Sequence, residues 1–169
     1  MSKISIGIMG YGNIGRGVEM AIRQNPDMQL TAIFTRRDPG EMGEASAPFV
    51  SVKDMAQYVG KIDVMMLCGG SATDLPQQGP EAAKLFNTVD SFDTHAKIPE
   101  YFSAVDEAAR KAGHLSLISG GWDPGLFSMM RVLGQAVLPE ALLPDYHRLS
   151  QAERERAERL AAEAAANKQ

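Results

Sequence analysis

The sequence is poor in the residues that build disulfides and metal centres. Its 169 residues include one cysteine, Cys68, which cannot form a disulfide within a single chain. The three histidines, His95, His114 and His147, do not have the spacing of a metal site. We therefore expect neither a disulfide framework nor a bound metal.

Long apolar runs and an excess of positive charge are also absent. No run reaches the roughly 18 apolar residues of a membrane-spanning helix, and no cleavable signal pattern is present, which predicts a cytoplasmic protein. The formal net charge of -4 argues against nucleic acid as a partner. With 44% hydrophobic and 22% charged residues, the chain has the composition of one globular domain with a true core.

What the sequence does contain is a regular alternation of short β-rich runs with helix-like runs. The β-rich runs are apolar without clean alternation, so they are expected to be buried on both faces, as parallel strands covered by helices are. The pattern predicts an α/β fold, a doubly wound Rossmann-type parallel sheet. The predicted strands are Ile4–Met9, Leu30–Thr35, Val64–Leu67, Thr88–Asp90 and Leu115–Ile118. The predicted helices are Ile14–Gln24, Lys53–Tyr58, Leu75–Phe86, Pro99–Ala112 and Leu126–Val137.

The end of the chain has a different composition. Residues 152–166 are almost wholly Ala, Glu and Arg, which maximises helix propensity and predicts an added C-terminal helix over Gln151–Ala166. We accordingly divide the chain into a Rossmann domain over residues 1–140 and a linker with this helix over residues 141–169. Low-complexity helices of this kind are commoner in designed proteins than in evolved ones, so an engineered tail is one hypothesis.

A glycine motif lies between the first predicted strand and the first predicted helix. In this context the pattern G-x-G-x-x-G predicts that the turn and the helix N-terminus hold the pyrophosphate of a dinucleotide. The alternative is an incidental glycine turn. The residues of the motif are Gly10, Tyr11, Gly12, Asn13, Ile14 and Gly15.

The end of the second predicted strand indicates which dinucleotide is preferred. An acidic residue there would hydrogen-bond a ribose hydroxyl and favour NAD, but the strand ends in Thr35, Arg36 and Arg37. Two guanidinium groups and a hydroxyl suit the 2′-phosphate of NADP. The alternative is that the arginines are solvated charges and that Asp38 serves as the ribose acid.

The turn after the third predicted strand should add to the same crevice, because ligands bind beyond the carboxyl ends of parallel strands. Its small residues would let the backbone pass close to the cofactor. The Ser71 and Thr73 hydroxyls could contact the cofactor, and Thr73 or Asp74 could cap the next helix. We assign no chemistry to Cys68, because no base is visible beside it. The turn consists of Cys68, Gly69, Gly70, Ser71, Ala72, Thr73 and Asp74.

These motifs, together with VDSFDTH at residues 89–95 and GWDPG at residues 121–125, resemble meso-diaminopimelate dehydrogenase from about Ser2 to Glu140. The resemblance implies reversible, NADP-dependent oxidative deamination at the D-configured centre of meso-2,6-diaminopimelate, in bacterial lysine and cell-wall metabolism. It implies that Tyr11–Ile14 hold the pyrophosphate and that Thr35–Arg37 hold the 2′-phosphate. The further cofactor contacts it implies are Cys68, Gly69, Ser71, Ala72, Thr73, Asp74, Ser91, Phe92, Asp93, Gly121, Trp122, Asp123 and Pro124.

The resemblance also implies catalytic roles. Asp93 and Asp123 match carboxylates near the D-amino group, and Trp122 matches an indole that lines the reaction site. Anionic oxygens there would position the ammonium and stabilise the iminium that forms when hydride leaves the Cα atom. The alternative is that both aspartates are turn or cap residues, a role that the Asp-Pro pair of GWDPG fits well.

The chain departs from the family after Glu140, where a member continues into a substrate and dimerisation domain. Without that domain's contacts to diaminopimelate, substrate positioning is lost, so we expect an NADP-binding module with little or no turnover. In this hypothesis the C-terminal helix replaces the substrate domain. The alternatives are an active small dehydrogenase and a Rossmann scaffold without function. We expect a monomer.

Overall fold

The computed structural model describes residues 3–137 of the chain. The chain divides into two compact units, Met1–Met129 and Met130–Gln169. The helix predicted over Gln151–Ala166 and the boundary predicted at residue 140 lie outside the described residues. The strands and helices described below therefore belong to the first unit, except for the end of the last helix.

Six strands and four α-helices alternate along the described residues. The strands are β1 (Ile4–Met9), β2 (Met28–Thr35), β3 (Phe49–Ser51), β4 (Val64–Leu67), β5 (Asn87–Asp90) and β6 (Ser116–Leu117). The helices are α1 (Asn13–Gln24), α2 (Leu75–Ala83), α3 (Ile98–Ala112) and α4 (Leu126–Val137). Short 3₁₀ helices cover Pro39–Glu41, Val52–Tyr58 and His95–Lys97. None of the helices described over residues 3–137 is long and apolar enough to cross a membrane.

All six strands are parallel and form one sheet in the order β3-β2-β1-β4-β5-β6. The order reverses beside β1, so the carboxyl ends of β1, β2 and β4 surround one crevice, the usual ligand position in such sheets. The doubly wound parallel sheet expected from the sequence is therefore confirmed.

Alternate residues of the central strands pack on opposite faces of the sheet, as strand geometry requires. On β2, Ala32 and Phe34 belong to the core that includes residues of α2 and α3, whereas Ile33 belongs to the core beneath α1. Ile22 of α1 is buried in that second core with Ile8 of β1. Apolar residues on both faces explain why the strands lack the alternation of a half-exposed sheet.

The predicted limits hold for β1 and β4 and for the start of α4, and they shift elsewhere. The third strand, Phe49–Ser51, was not predicted, because three residues are too few to show a period. The segment predicted as a helix over Lys53–Tyr58 is a 3₁₀ helix that begins at Val52. The helix predicted to reach Phe86 ends at Ala83.

Smaller differences, of one or two residues, concern segment ends: α1, α3 and β5 each begin one residue before the predicted start. Strand β2 begins at Met28, two residues before the predicted Leu30. Strand β6 contains only Ser116–Leu117 of the predicted Leu115–Ile118. The loop over residues 38–48 contains the 3₁₀ turn Pro39–Glu41, which the Asp38 carboxylate caps by accepting a hydrogen bond from the Gly40 amide at 2.9 Å.

Candidate functional site

The glycine turn joins β1 to α1 at the centre of the crevice. Gly10 has a φ of 95°, and its amide donates to the Phe34 carbonyl at 2.9 Å, which fixes the turn to β2. A Cβ atom at Gly15 would collide with the Gly10 carbonyl oxygen, so this glycine permits close packing of helix and turn. A Cβ atom at Gly12 would meet nothing within 4 Å, so this position faces open space.

The side chain of Tyr11 anchors the glycine turn through contacts with Phe49, Arg16 and Glu19. Its ring packs edge-on against Phe49 with centroids 5.1 Å apart, and the Arg16 guanidinium lies 5.6 Å from its centroid. Its hydroxyl donates a hydrogen bond to Glu19. That hydrogen bond and burial raise the pKa of Tyr11, so the side chain stays a neutral phenol. The Asn13 and Ile14 side chains are exposed at the start of the helix.

At the end of β2, the three predicted phosphate ligands have different environments. Thr35 is 5% exposed, and its hydroxyl accepts a hydrogen bond from the Arg37 amide at 3.0 Å. Arg36 is paired with Asp74. Among residues 3–137 no hydrogen bond or ion pair engages the exposed Arg37 guanidinium, which leaves this cation open to a ligand.

The ion pair between Arg36 and Asp74 spans two turns. The Arg36 Nη1 atom lies 2.8 Å from Asp74 Oδ1, and Nη2 donates to Oδ2 at 3.1 Å. Asp74 Oδ2 also accepts from the Gly70 amide at 3.0 Å. Asp74 occupies the N-cap position of α2, but its side chain makes no capping hydrogen bond because it is turned to Arg36 and Gly70. The predicted capping of α2 by the Asp74 side chain is therefore wrong.

The turn after β4 leaves no room for a side chain at Gly69. A Cβ atom at Gly69 would lie 2.7 Å from Gln78 Oε1, so a larger residue does not fit there. Burial raises the pKa of the Cys68 thiol to about 12, which keeps the thiol protonated at neutral pH. The Ser71 hydroxyl accepts from the Asp93 amide at 3.1 Å, whereas Ala72 and Thr73 are exposed.

Buried Asp90 organises the next two turns of the same sheet edge. Asp90 Oδ1 accepts from the amides of Phe92 at 2.9 Å and Ser119 at 3.0 Å, and Oδ2 accepts from the Tyr101 hydroxyl at 2.6 Å. The Asp90 carbonyl accepts from the Gly120 amide at 2.8 Å. Burial and the bond to Asp90 raise the pKa of Tyr101. One carboxylate thus holds the chain after β5 beside the chain after β6.

This arrangement brings the two predicted catalytic segments to one edge of the sheet. A Cβ atom at Gly121 would lie 3.4 Å from Ser91 Cβ, so the two segments are in contact there. Asp93 is exposed, and Asp123 precedes Pro124 through a cis peptide bond. Trp122 is 64% exposed and packs against Phe127 with ring centroids 4.8 Å apart.

Phe92 differs from the other predicted cofactor residues. Its side chain is fully buried and stacks on Tyr101, with centroids 4.1 Å apart and an interplanar angle of 16°. Only the backbone of Phe92 can face the crevice.

Within the part of the chain described here, no group of three or more His, Cys, Asp or Glu residues could hold a metal ion.

Two adjoining clefts lie along the crevice. One, of about 250 Å³, is lined by the glycine turn, Thr35–Arg37 and the turn after β4. The other, of about 310 Å³, lies beyond Arg36. The lining residues of the second cleft that the sequence did not predict are Met9, Val52, Lys53, Met55, Gln77, Gln78 and Glu81.

The missed lining residues have identifiable signals. Val52 and Lys53 directly follow β3, so they would have been expected at the edge of the crevice had that strand been predicted. Gln78 lies one helical turn after Asp74, and its Oε1 atom is buried without a hydrogen-bond partner among the described residues. An orphaned polar atom on the wall of both clefts marks a place where a ligand can bind.

The strand order, the glycine turn at the reversal point and the arginines after β2 define a Rossmann-type domain. No protein-family model matches the chain. A meso-diaminopimelate D-dehydrogenase from Lysinibacillus sphaericus is 66% identical over 140 residues, which are 82% of this chain and 43% of that protein. The chain is thus related to the meso-diaminopimelate D-dehydrogenases, and the resemblance inferred from its motifs is confirmed.

Solved structures agree with the sequence comparison. A mutant meso-diaminopimelate dehydrogenase from Clostridium tetani, solved with DAP, is 58% identical with a TM-score of 0.76, and the match covers 81% of this chain and 42% of that one. An engineered D-amino acid dehydrogenase bound to NADP+ is 45% identical with a TM-score of 0.77, covering 82% of this chain and 43% of that one. The chain therefore spans less than half the length of these relatives.

Proposed function

We propose that this chain is an NADP(H)-binding module of the meso-diaminopimelate dehydrogenase type. The observation that carries the proposal is the open Arg37 guanidinium at the mouth of the cleft that the glycine turn lines. Asp38, the alternative ribose acid, has its carboxylate bound to the Gly40 amide and lines neither cleft. A free cation and an engaged carboxylate favour a 2′-phosphate over a 2′-hydroxyl.

The remaining parts of the crevice suit the rest of the dinucleotide. The pyrophosphate would lie over Tyr11–Ile14, where Gly12 leaves open space and the N-terminus of α1 favours an anion. The adenosine would extend past Arg36 toward Gln78, and the nicotinamide toward the turns after β4 and β5. The related D-amino acid dehydrogenase bound to NADP+ supports this assignment.

The catalytic assignments are part of the same proposal. Bound NADP+ would supply the hydride acceptor, and Asp93, Trp122 and Asp123 would surround the D-amino group of diaminopimelate. Trp122 is 64% exposed among the described residues, so water reaches the place where substrate would have to be enclosed. An open site loses both positioning and exclusion of water, and we propose little or no turnover by this chain alone.

That the protein is monomeric and cytoplasmic stays a prediction from the sequence.

Calorimetric titration of the chain with NADP+ and with NAD+ tests the binding proposal. We expect NADP+ to bind at least about tenfold more tightly, as charge-assisted hydrogen bonds to the 2′-phosphate require. Adding meso-diaminopimelate to the NADP+ complex should produce no steady rise in reduced-nicotinamide absorbance. Absence of heat with either nucleotide would leave a scaffold without function, and steady turnover would identify an active small dehydrogenase.

A further inference from the structure

Glu19 is a buried carboxylate on a helix face that otherwise packs against the sheet through Gly15 and Ile22. It lies on the inward face of α1 with Gly15 and Ile22, and it is 6% exposed. Burying a carboxylate is costly unless hydrogen bonds compensate for the lost water. Its partners therefore indicate its role.

Both oxygens of Glu19 are occupied, one by the glycine turn and the other by the segment that joins β2 to β3. Oε2 accepts from the Tyr11 hydroxyl, within the glycine turn. Oε1 accepts from the Ser46 amide at 2.8 Å and from the Ser46 hydroxyl at 2.5 Å. Ser46 belongs to the segment that follows Arg37 and leads into β3. The Tyr11 ring packs on Phe49 at the start of that strand, which adds a second link between the same two segments.

The carboxylate is ionised at neutral pH. Burial alone would raise the pKa of Glu19, but the hydrogen bonds from Ser46 and Tyr11 outweigh burial and lower it. Hydrogen bonds to a charged acceptor are stronger than those between neutral groups. Glu19 thus joins Tyr11 and Ser46 more firmly than a neutral amide would.

We propose that Glu19 is a positioning residue of the cofactor site, which holds the glycine turn and the segment after Arg37 at the spacing that one dinucleotide needs. The inference rests on the proposed NADP(H) binding. In that complex the turn would hold the pyrophosphate and the β2 end would hold the 2′-phosphate. A ligand that uses both segments depends on their spacing, whereas a ligand that uses only one does not.

The test compares Glu19→Gln with the unaltered chain by titration with NADP+ and with adenosine 2′-monophosphate. We expect NADP+ to bind about tenfold more weakly to the variant, and the smaller ligand to change less than about twofold. Glu44→Gln is the matched control, because it removes the same charge from an exposed side chain near Ser46. Losing a negative charge should by itself strengthen the binding of a phosphate ligand. Weaker NADP+ binding would therefore be opposite to the effect of charge and would indicate lost positioning.

Tyr11→Phe and Ser46→Ala each remove one link and leave Glu19 in place, which keeps the test valid if Glu19→Gln does not fold. Each should weaken NADP+ binding several-fold with little change for adenosine 2′-monophosphate. Unchanged NADP+ affinity in these variants, or an equal loss for both ligands, overturns the inference while the proposed function stands. Absence of NADP+ binding by the unaltered chain overturns both.

Discussion

At the scale of single residues, the three motif glycines are surrounded in different ways. Gly10 needs its positive φ, and Gly15 has no room for a Cβ atom. Gly12 is confined by neither condition, because its φ is -94° and a Cβ atom there would meet nothing within 4 Å. The fold therefore does not require glycine at residue 12, whereas a closely approaching pyrophosphate does.

Gly12→Ala should therefore separate folding from binding. We expect a folded protein whose NADP+ affinity falls at least about tenfold, because the added methyl group stands where the pyrophosphate approaches. Calorimetry and thermal unfolding measure the two effects.

Gly17→Ala is the matched control, since a Cβ atom at this helix position also meets nothing within 4 Å. It should stabilise the protein by about 0.4–1 kcal/mol and leave NADP+ affinity unchanged. Unaltered binding by Gly12→Ala would mean that no pyrophosphate lies over this turn.

At the scale of elements, a few buried polar contacts align the ends of strands and helices. Asp90 at the end of β5 receives the Tyr101 hydroxyl from α3 and the amide of Ser119 from the chain after β6. Gly79 of α2 leaves the room that the Tyr101 ring occupies, since a Cβ atom there would collide with it. The packing of α2 against α3 thus positions the Tyr101 hydroxyl within hydrogen-bond distance of the Asp90 carboxylate.

Tyr101→Phe should lower the free energy of unfolding by about 1–3 kcal/mol at neutral pH, because it leaves Asp90 without one hydrogen bond. The pKa of Tyr101 is raised above its ordinary value of 10.0 in the folded protein, through burial and then through the bond to Asp90. The tyrosine's contribution is therefore complete below pH 10 and declines as the pH rises above it, because only the unfolded chain then loses the proton.

Urea unfolding at neutral pH and above pH 10 measures this dependence. The stability difference between the unaltered chain and Tyr101→Phe should narrow in alkali. Tyr58→Phe is the control, because the Tyr58 ring packs on Phe34 and its hydroxyl makes no hydrogen bond among the described residues. A difference that stays constant with pH would contradict the assigned role of the Tyr101 hydroxyl.

The sequence predicted elements well where hydrophobic patterning was long, and poorly where tertiary contacts decide the structure. The limits of β1 and β4 follow from apolar runs, but β3 is held by its pairing with Ile33–Thr35 of β2 rather than by its own pattern. The Arg36–Asp74 pair could not be predicted either. Its members are 38 residues apart and meet only because β2 and β4 end at the same edge.

At the scale of the whole molecule, an acidic chain presents a local cationic site. The formal net charge is -4, but the crevice edge carries Arg36, Arg37 and Lys53. Asp74 offsets the charge of Arg36, which leaves Arg37 as the cation best placed to distinguish a 2′-phosphate. The fold creates this site by placing the ends of β1, β2 and β4 side by side.

Titration of Arg37→Ala with NADP+ and with NAD+ tests the central claim most directly. The account predicts that NADP+ binds about 10- to 100-fold more weakly, as the loss of charge-assisted hydrogen bonds to a phosphate implies. NAD+, which lacks the 2′-phosphate, should bind as it does to the unaltered chain. NADP+ affinity that is unchanged, or that falls equally with NAD+, would contradict recognition of the 2′-phosphate by Arg37.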